Sequence, residues 1–252
     1  GDLTVPKAFS AGRDAFLTDH PELFYIDFYK MTISAARSRA GVYSAYIDSG
    51  REANLYYDSG FTSASDVNEA ISEYNAKINE IASEAIAYAN ADKFGTAREV
   101  LMARYVNSYL AGNVEYDYGA LNDYLETGVE TSSAASIHTA YGALVINKAV
   151  CDGFSRAYKS VMDKLGIPCL VINGYSVARN SKGERVDKGE NHAWNYIWLA
   201  DPVDESEPEA AAFAVIAEED DTTVDGGRWY SLDVTWNSSS VNKNKYMIMG
   251  EY

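Results

Sequence analysis

The sequence predicts an α+β fold. One observation is the order of elements in its second half, where a single amphipathic helix is followed by three strand-like segments. Another is a long run of helical periodicity upstream, set apart from those strands. The third is bulk composition: 47% hydrophobic and 23% charged residues over 252 positions, enough apolar material for a buried core.

The first 60 residues mix polar turns with aromatic runs such as "LFYIDFYKM". The alternation Val42, Tyr43, Ser44, Ala45, Tyr46, Ile47 predicts a strand, with "REANLYYD" as its partner across an Asp48-Ser49-Gly50 turn. In "SASDVNEAISEYNAKINEIASEAIAYAN", Val67, Ala70, Ile71, Tyr74, Ile78, Ile81, Ala85, Ile86 and Tyr88 recur at helical spacing, with Ser65 or Asp66 as N-cap. A second helix begins near Thr96, carries Val100, Leu101, Tyr105, Val106, Tyr109 and Leu110, and ends at Gly112 and Asn113. Cys151–Leu165 is amphipathic through Phe154, Ala157, Tyr158, Val161, Met162 and Leu165, and Gly166 and Pro168 close it. Three strands follow: "PCLVINGYSV", expected to be buried, then "HAWNYIWL" after the polar turn "SKGER", then "RWYSLDVTW". This order predicts an antiparallel sheet and divides the chain into an extension over 1–95 and a core over 96–252.

Net charge excludes some partners. At -16 the chain lacks the basic footprint that nucleic acid requires, and anionic lipid would repel it. Ten of the 37 acidic residues fall in 201–225, without a Lys or Arg among them. A solvated insertion over 201–227 accounts for this stretch. Clustered carboxylates also suit calcium, but the regular alternation of an EF-hand loop is missing. No run of roughly 20 apolar residues is present to insert into a membrane. The chain begins at Gly1 without a signal-peptide pattern, as expected of a leader removed or a chain trimmed. Twenty Tyr against eight Phe suit half-wet surfaces and grooves.

Chemistry converges on few residues. Cys151 stands where a helix begins, and free N–H groups with the helix dipole favour a thiolate there. The chain has three His. His192 opens the second strand and Asp233 lies in the third, so neighbouring strands can bring imidazole and carboxylate together beside the thiol. A disulfide to Cys169 is the alternative. The intervening helix of about 14 residues spans about 20 Å, which separates the two thiols. Cys169, in an apolar strand, is expected as a buried core thiol, His20 as structural, and His138 as structural, exposed or lining the cleft. Zinc needs closely spaced ligand pairs, which are missing, so neither metal nor other cofactor is implied.

The blocks "AVCDGFSRAYKSVMDKLGIPCLVINGY", "NHAWNYIWL" and "RWYSLDVTWN" together resemble the transglutaminase-like superfamily of papain-like cysteine enzymes. The resemblance spans 141–237, with a weaker likeness over "NSYLAGNVEYDYG", and is closest to the bacterial, often surface-associated branch. It implies a papain-like core with Cys151 as nucleophile, His192 as general base and acid, and Asp233 as orienting carboxylate. It further implies a thioacyl intermediate formed on a glutamine carboxamide or peptide amide and resolved by water or an amine. Such an enzyme is a protease, an amidase or a protein cross-linker. The oxyanion hole is expected from the Cys151 N–H plus one further donor, with Asn147 and Tyr141 as candidates and Trp194 as cleft wall. The implied partner is a protein or peptide, cell-wall peptide included, and the implied location is secreted or cell-surface. A non-catalytic surface binding module retaining the fold is the alternative.

Overall fold

The computed structural model describes residues 4–26, 33–41, 43–47, 61–128, 135–177, 182, 184–186, 189–200, 223–224 and 226–248. Helix α1 (Thr4–Asp19) and a short 3-10 turn precede a hairpin of β1 (Ile33–Arg37) and β2 (Tyr43–Ile47). The strand predicted around 42–47 is present as β2, but it pairs antiparallel with the segment before it rather than the one after, Ile33 opposite Ile47. The partner expected at 51–58 and its turn lie outside the described residues.

Helices α2 (Ala64–Asn90) and α3 (Arg98–Asn113) pack together. The cap of α2 is Ser63 rather than Ser65 or Asp66. Its hydroxyl accepts from the Asp66 N–H at 3.2 Å, while the Asp66 carboxylate reaches back to Thr62 at 2.7 Å and 3.0 Å. This reciprocal pairing satisfies donors that the helix start leaves open. Next come β3 (Glu115–Tyr116), α4 (Tyr118–Thr127), a π-helical turn (Gly142–Ile146) and β4 (Lys148–Ala149), which pairs in parallel with β3.

Helix α5 (Cys151–Leu165) is the predicted amphipathic helix. Phe154, Ala157, Tyr158, Val161 and Met162 recur at three- and four-residue steps and are fully buried. They pack on strands β5 (Cys169–Ser176) and β6 (Glu190–Ala200), while α2 and α3 cover the helix from its other side. The sheet is completed by β7 (Thr223–Val224) and β8 (Gly227–Leu232), in the order β5-β6-β8-β7 with every pairing antiparallel. A short helix, α6 (Val234–Ser239), follows β8.

Strand β5 was expected to be buried and proves to be an edge. Leu170 and Tyr175 are exposed, because β5 has β6 on one side only. The acidic stretch at 201–222 and Asp225 lie outside the described residues, and with them the readings of an insertion or a calcium loop.

Several tyrosines serve as tethers between helices as well as apolar bodies. The Tyr158 hydroxyl donates to the Ala103 carbonyl of α3 at 3.2 Å, and Tyr74 of α2 donates to the Ser160 hydroxyl of α5 at 2.7 Å. Each buried phenol thereby gains the partner its polar tip requires. The core is continuous from α2 through α5 to β6 and β8.

A buried amide network joins α3 to α6. Asn107 Nδ2 donates to the Lys243 carbonyl at 2.7 Å, and Asn237 Nδ2 donates to Asn107 Oδ1 at 2.8 Å. The Tyr246 N–H donates to Asn237 Oδ1 at 2.8 Å, and both asparagines are fully buried. Asn107→Ala leaves the Asn237 amide and the Lys243 carbonyl unpaired away from water, so a loss of about 2–4 kcal/mol is expected in urea unfolding. A loss below about 0.5 kcal/mol would show that the network does not anchor this corner.

Candidate active site

Cys151 is the first residue of α5. Val150 before it is extended and its side chain cannot cap the helix, although Asp152 Oδ1 accepts from the Gly153 N–H at 3.0 Å. The first helical N–H to find its carbonyl is that of Phe154, bonded to Val150 at 3.0 Å. The N–H groups of Cys151 and Asp152 therefore precede the intrahelical ladder and remain available to an anion. Both cysteines are free thiols, Cys151 half-buried and Cys169 buried, so the pair forms no disulfide. Burial pushes the Cys169 thiol far up, and it packs as an inert core group.

His192 and Asp233 meet at the other side of the site. The predicted face-to-face placement on two strands needs correction. β8 ends at Leu232, opposite Asn195, and Asp233 begins the turn into α6. From there its carboxylate divides its two oxygens. Oδ1 accepts from the Trp236 N–H at 2.9 Å and caps α6, while Oδ2 bonds His192 Nε2 at 2.6 Å. The pair is almost entirely buried, with side-chain exposures of 10% and 4%. With Nε2 engaged, Nδ1 is the ring nitrogen left free of Asp233, and Cys151 is close enough to help raise the His192 pKa.

These contacts set the charge of the imidazole. Burial by itself would lower its pKa, but the hydrogen bonds with Asp233 and Cys151 and their negative charge outweigh that effect, and the value rises to about 9. The ring is flanked by indoles. Trp236 stacks on it at 5.1 Å between centroids and 14°, and Trp194 lies at 6.0 Å and 21°. Trp194 can lie there because Gly174, opposite His192 in the register, has no side chain; a Cβ would approach the indole to 2.7 Å. Trp194 thus lies beside the imidazole, over Gly174. Trp236, Ser239, Ser240, Lys245 and Tyr246 line a pocket of about 430 Å³ that shares Trp236 with the imidazole.

The two oxyanion candidates are engaged elsewhere. Tyr141 donates to Glu73 of α2 at 2.8 Å and stacks on Phe24, so it anchors α2. Asn147 takes a left-handed conformation that ends the π-helical turn, and its amide reaches only the nearby Val145 carbonyl, at 3.5 Å. The residue that sequence reasoning missed is Tyr116. Its phenol is half-buried and pushed up to about 12, by desolvation first and then by the charge of Cys151 and other neighbours. β3 pairs with β4 just before the thiol, which brings "EYDYG" to the head of α5. The likeness over that segment was the available signal. His20 bonds Glu22 at 2.8 Å and its ring lies tilted against Phe16 at 4.3 Å between centroids, contacts of a structural kind.

A helix packed on an antiparallel sheet, with a free thiol at the helix head and a buried imidazole–carboxylate pair between β6 and the turn after β8, defines an α+β protein. The chain belongs to the transglutaminase-like superfamily, whose family model matches residues 86–234, more than half of its length. Members are typically cysteine-dependent acyl-transfer enzymes or proteases. Among solved structures, the chain is similar to a TGase crystal structure, at 16% identity and a TM-score of 0.38, over 81% of this chain and 44% of that one. It is also similar to a candidate cysteine protease from Cytophaga hutchinsonii, at 14% identity and a TM-score of 0.31, over 82% and 62% of the two chains. This chain therefore spans about half of the one and under two thirds of the other. No curated protein matches it.

The raised His192 value has a testable sign. An imidazolium held in the folded state stabilises it fully below the unfolded value near 6.5, and that contribution is lost as pH rises through about 9. In an NMR titration the His192 ring should have its midpoint near 9. Asp233→Asn removes the larger charge and should lower the midpoint by more than one unit. A midpoint unmoved by that substitution would contradict the assigned balance.

Proposed function

We propose that this chain is a cysteine-dependent acyl-transfer enzyme acting on protein or peptide amides through a thioacyl intermediate. The observation that carries the reading is the 2.6 Å bond between the His192 imidazole and the buried Asp233 carboxylate, in a chain whose Cys151 stands at a helix head and helps to raise the pKa of that imidazole. Cys151 attacks the amide carbonyl as thiolate, forming the C–S bond. His192, protonated, then delivers its proton to the departing nitrogen as the C–N bond breaks. Asp233 holds the ring in orientation and stabilises its charge. Water or an amine, deprotonated by His192, attacks the thioester and releases Cys151.

The Cys151 N–H at the helix head and the Tyr116 phenol are the donors for the tetrahedral oxyanion. The pocket beside Trp236 lies on the imidazole side, where the leaving or accepting amine must sit. The Lys245 ammonium, 4.8 Å from the Tyr246 ring, favours a carboxylate on that portion of the substrate.

p-Nitrophenyl acetate tests the chemistry without knowledge of the natural substrate. A burst of p-nitrophenolate stoichiometric with enzyme is expected, with the acetyl group on Cys151 and none on Cys169. Cys151→Ala should abolish the burst, and Tyr116→Phe should slow acylation by about 10²-fold. Acetylation confined to Cys169, or none, would overturn the reading. Cell-wall peptides and glutamine-donor proteins, offered in turn to the wild type, distinguish the substrate classes.

A further inference from the structure

The nucleophile is followed by Asp152 and Gly153, and neither takes part in the chemistry above. Asp152 occupies the second position of α5, so its charge sits beside the thiol. Its carboxylate accepts from His138 Nδ1 at 2.8 Å and 3.0 Å, and Oδ1 also accepts from the Gly153 N–H at 3.0 Å. Arg156, one turn along α5, donates from Nη1 to the His138 carbonyl at 2.9 Å and fixes the backbone that carries the imidazole. Both members of the pair are partly shielded, with side-chain exposures of 34% and 24%.

Gly153 makes the pairing possible. A Cβ there would stand 2.2 Å from the Ile137 carbonyl oxygen, so only glycine lets the segment before His138 press against the head of the helix. The Val150 N–H donates to that same carbonyl at 3.0 Å, which ties the residue preceding the thiol to the same strap. The triplet Cys151-Asp152-Gly153 and His138 thus form one unit.

An unpaired carboxylate next to Cys151 would repel the thiolate. It would also turn toward the helix N–H groups that the acyl oxygen needs. We propose that His138 is a positioning residue that balances the charge of Asp152, sparing the Cys151 thiolate its repulsion and holding the carboxylate away from the first two N–H groups of α5. Burial alone would raise the Asp152 pKa, but the His138 bond and charge, with Arg156 and the Gly153 N–H, bring it below the usual range, consistent with an ionised pair. Among the described residues, the titratable groups around Cys151 also include Tyr116 and Tyr118 near β3, Glu190 and His192 on β6, and Asp233 beyond β8.

The proposal rests on Cys151 being the reactive thiol, and the test separates the two. Iodoacetamide alkylation of Cys151 is followed by mass spectrometry against pH, with buried Cys169 as internal reference, in wild type, His138→Gln, Asp152→Asn and the double variant. A pH-dependent reaction at Cys151 in the wild type supports the functional reading, and its absence defeats that reading first. Given that reaction, His138→Gln should move the midpoint up by about one unit and slow alkylation about tenfold below it. Asp152→Asn should leave the midpoint unchanged or lower it, and adding it to His138→Gln should restore the wild-type profile.

A His138→Gln profile superimposed on wild type would overturn the proposal. So would a double variant no better than His138→Gln, which would mark the pair as merely structural. If His138→Gln fails to fold, Asp152→Asn alone decides: a midpoint that rises overturns the charge-balancing role, and one that holds or falls supports it.

Discussion

The site depends on how one carboxylate is shared. Asp233 is buried, so each of its oxygens must find a donor, and the fold supplies one for each: the Trp236 N–H at the start of α6 and the imidazole of His192. The first bond holds the carboxylate in place, and the second makes a buried imidazolium tenable. Without Asp233, burial would favour the neutral ring, and the thiol would lose a cationic neighbour. Capping a six-residue helix and setting the charge of the base are therefore one structural event.

That event is anchored from the far side of the molecule. Asn107 on α3 grips Asn237 on α6 and the chain at Lys243, while the Asp233 N–H donates to the Tyr246 carbonyl at 2.9 Å. The helical layer thus reaches through a buried amide network to the residue that orients His192. Cys151 is placed independently, by α5 with its tyrosine tether to α3 and by the strap over Gly153. Thiol and imidazole stand on two elements, α5 and β6, that pack on one another.

Much of this was legible in sequence where a period or a local rule governs. The apolar spacing of α5 follows from one face meeting a core, and its end at Gly166 follows from helix termination, so both could be placed to the residue. Where neighbours decide, local rules point elsewhere. An apolar run looks the same at the centre and at the edge of a sheet, so it predicts burial for β5, which lies at the edge. Ser63 displaced Ser65 as the cap of α2 because the capping pair depends on which hydroxyl meets which N–H. Tyr141 looked available near the thiol in sequence, yet its hydroxyl is held by Glu73 on α2.

By itself, the sequence determined the α+β class, the thiol at a helix head, and the pairing of His192 with Asp233. These follow from periodicity, from helix-end chemistry, and from the order of strands that carry the two residues. Tertiary structure decided the rest: that Asp233 leaves its strand to cap α6, that Nε2 rather than Nδ1 faces it, and that His138 bonds Asp152 at the head of α5. Each of these is a contact of a few ångströms between residues far apart in the chain. Its existence depends on how helices and strands pack, and no spacing along the sequence encodes it.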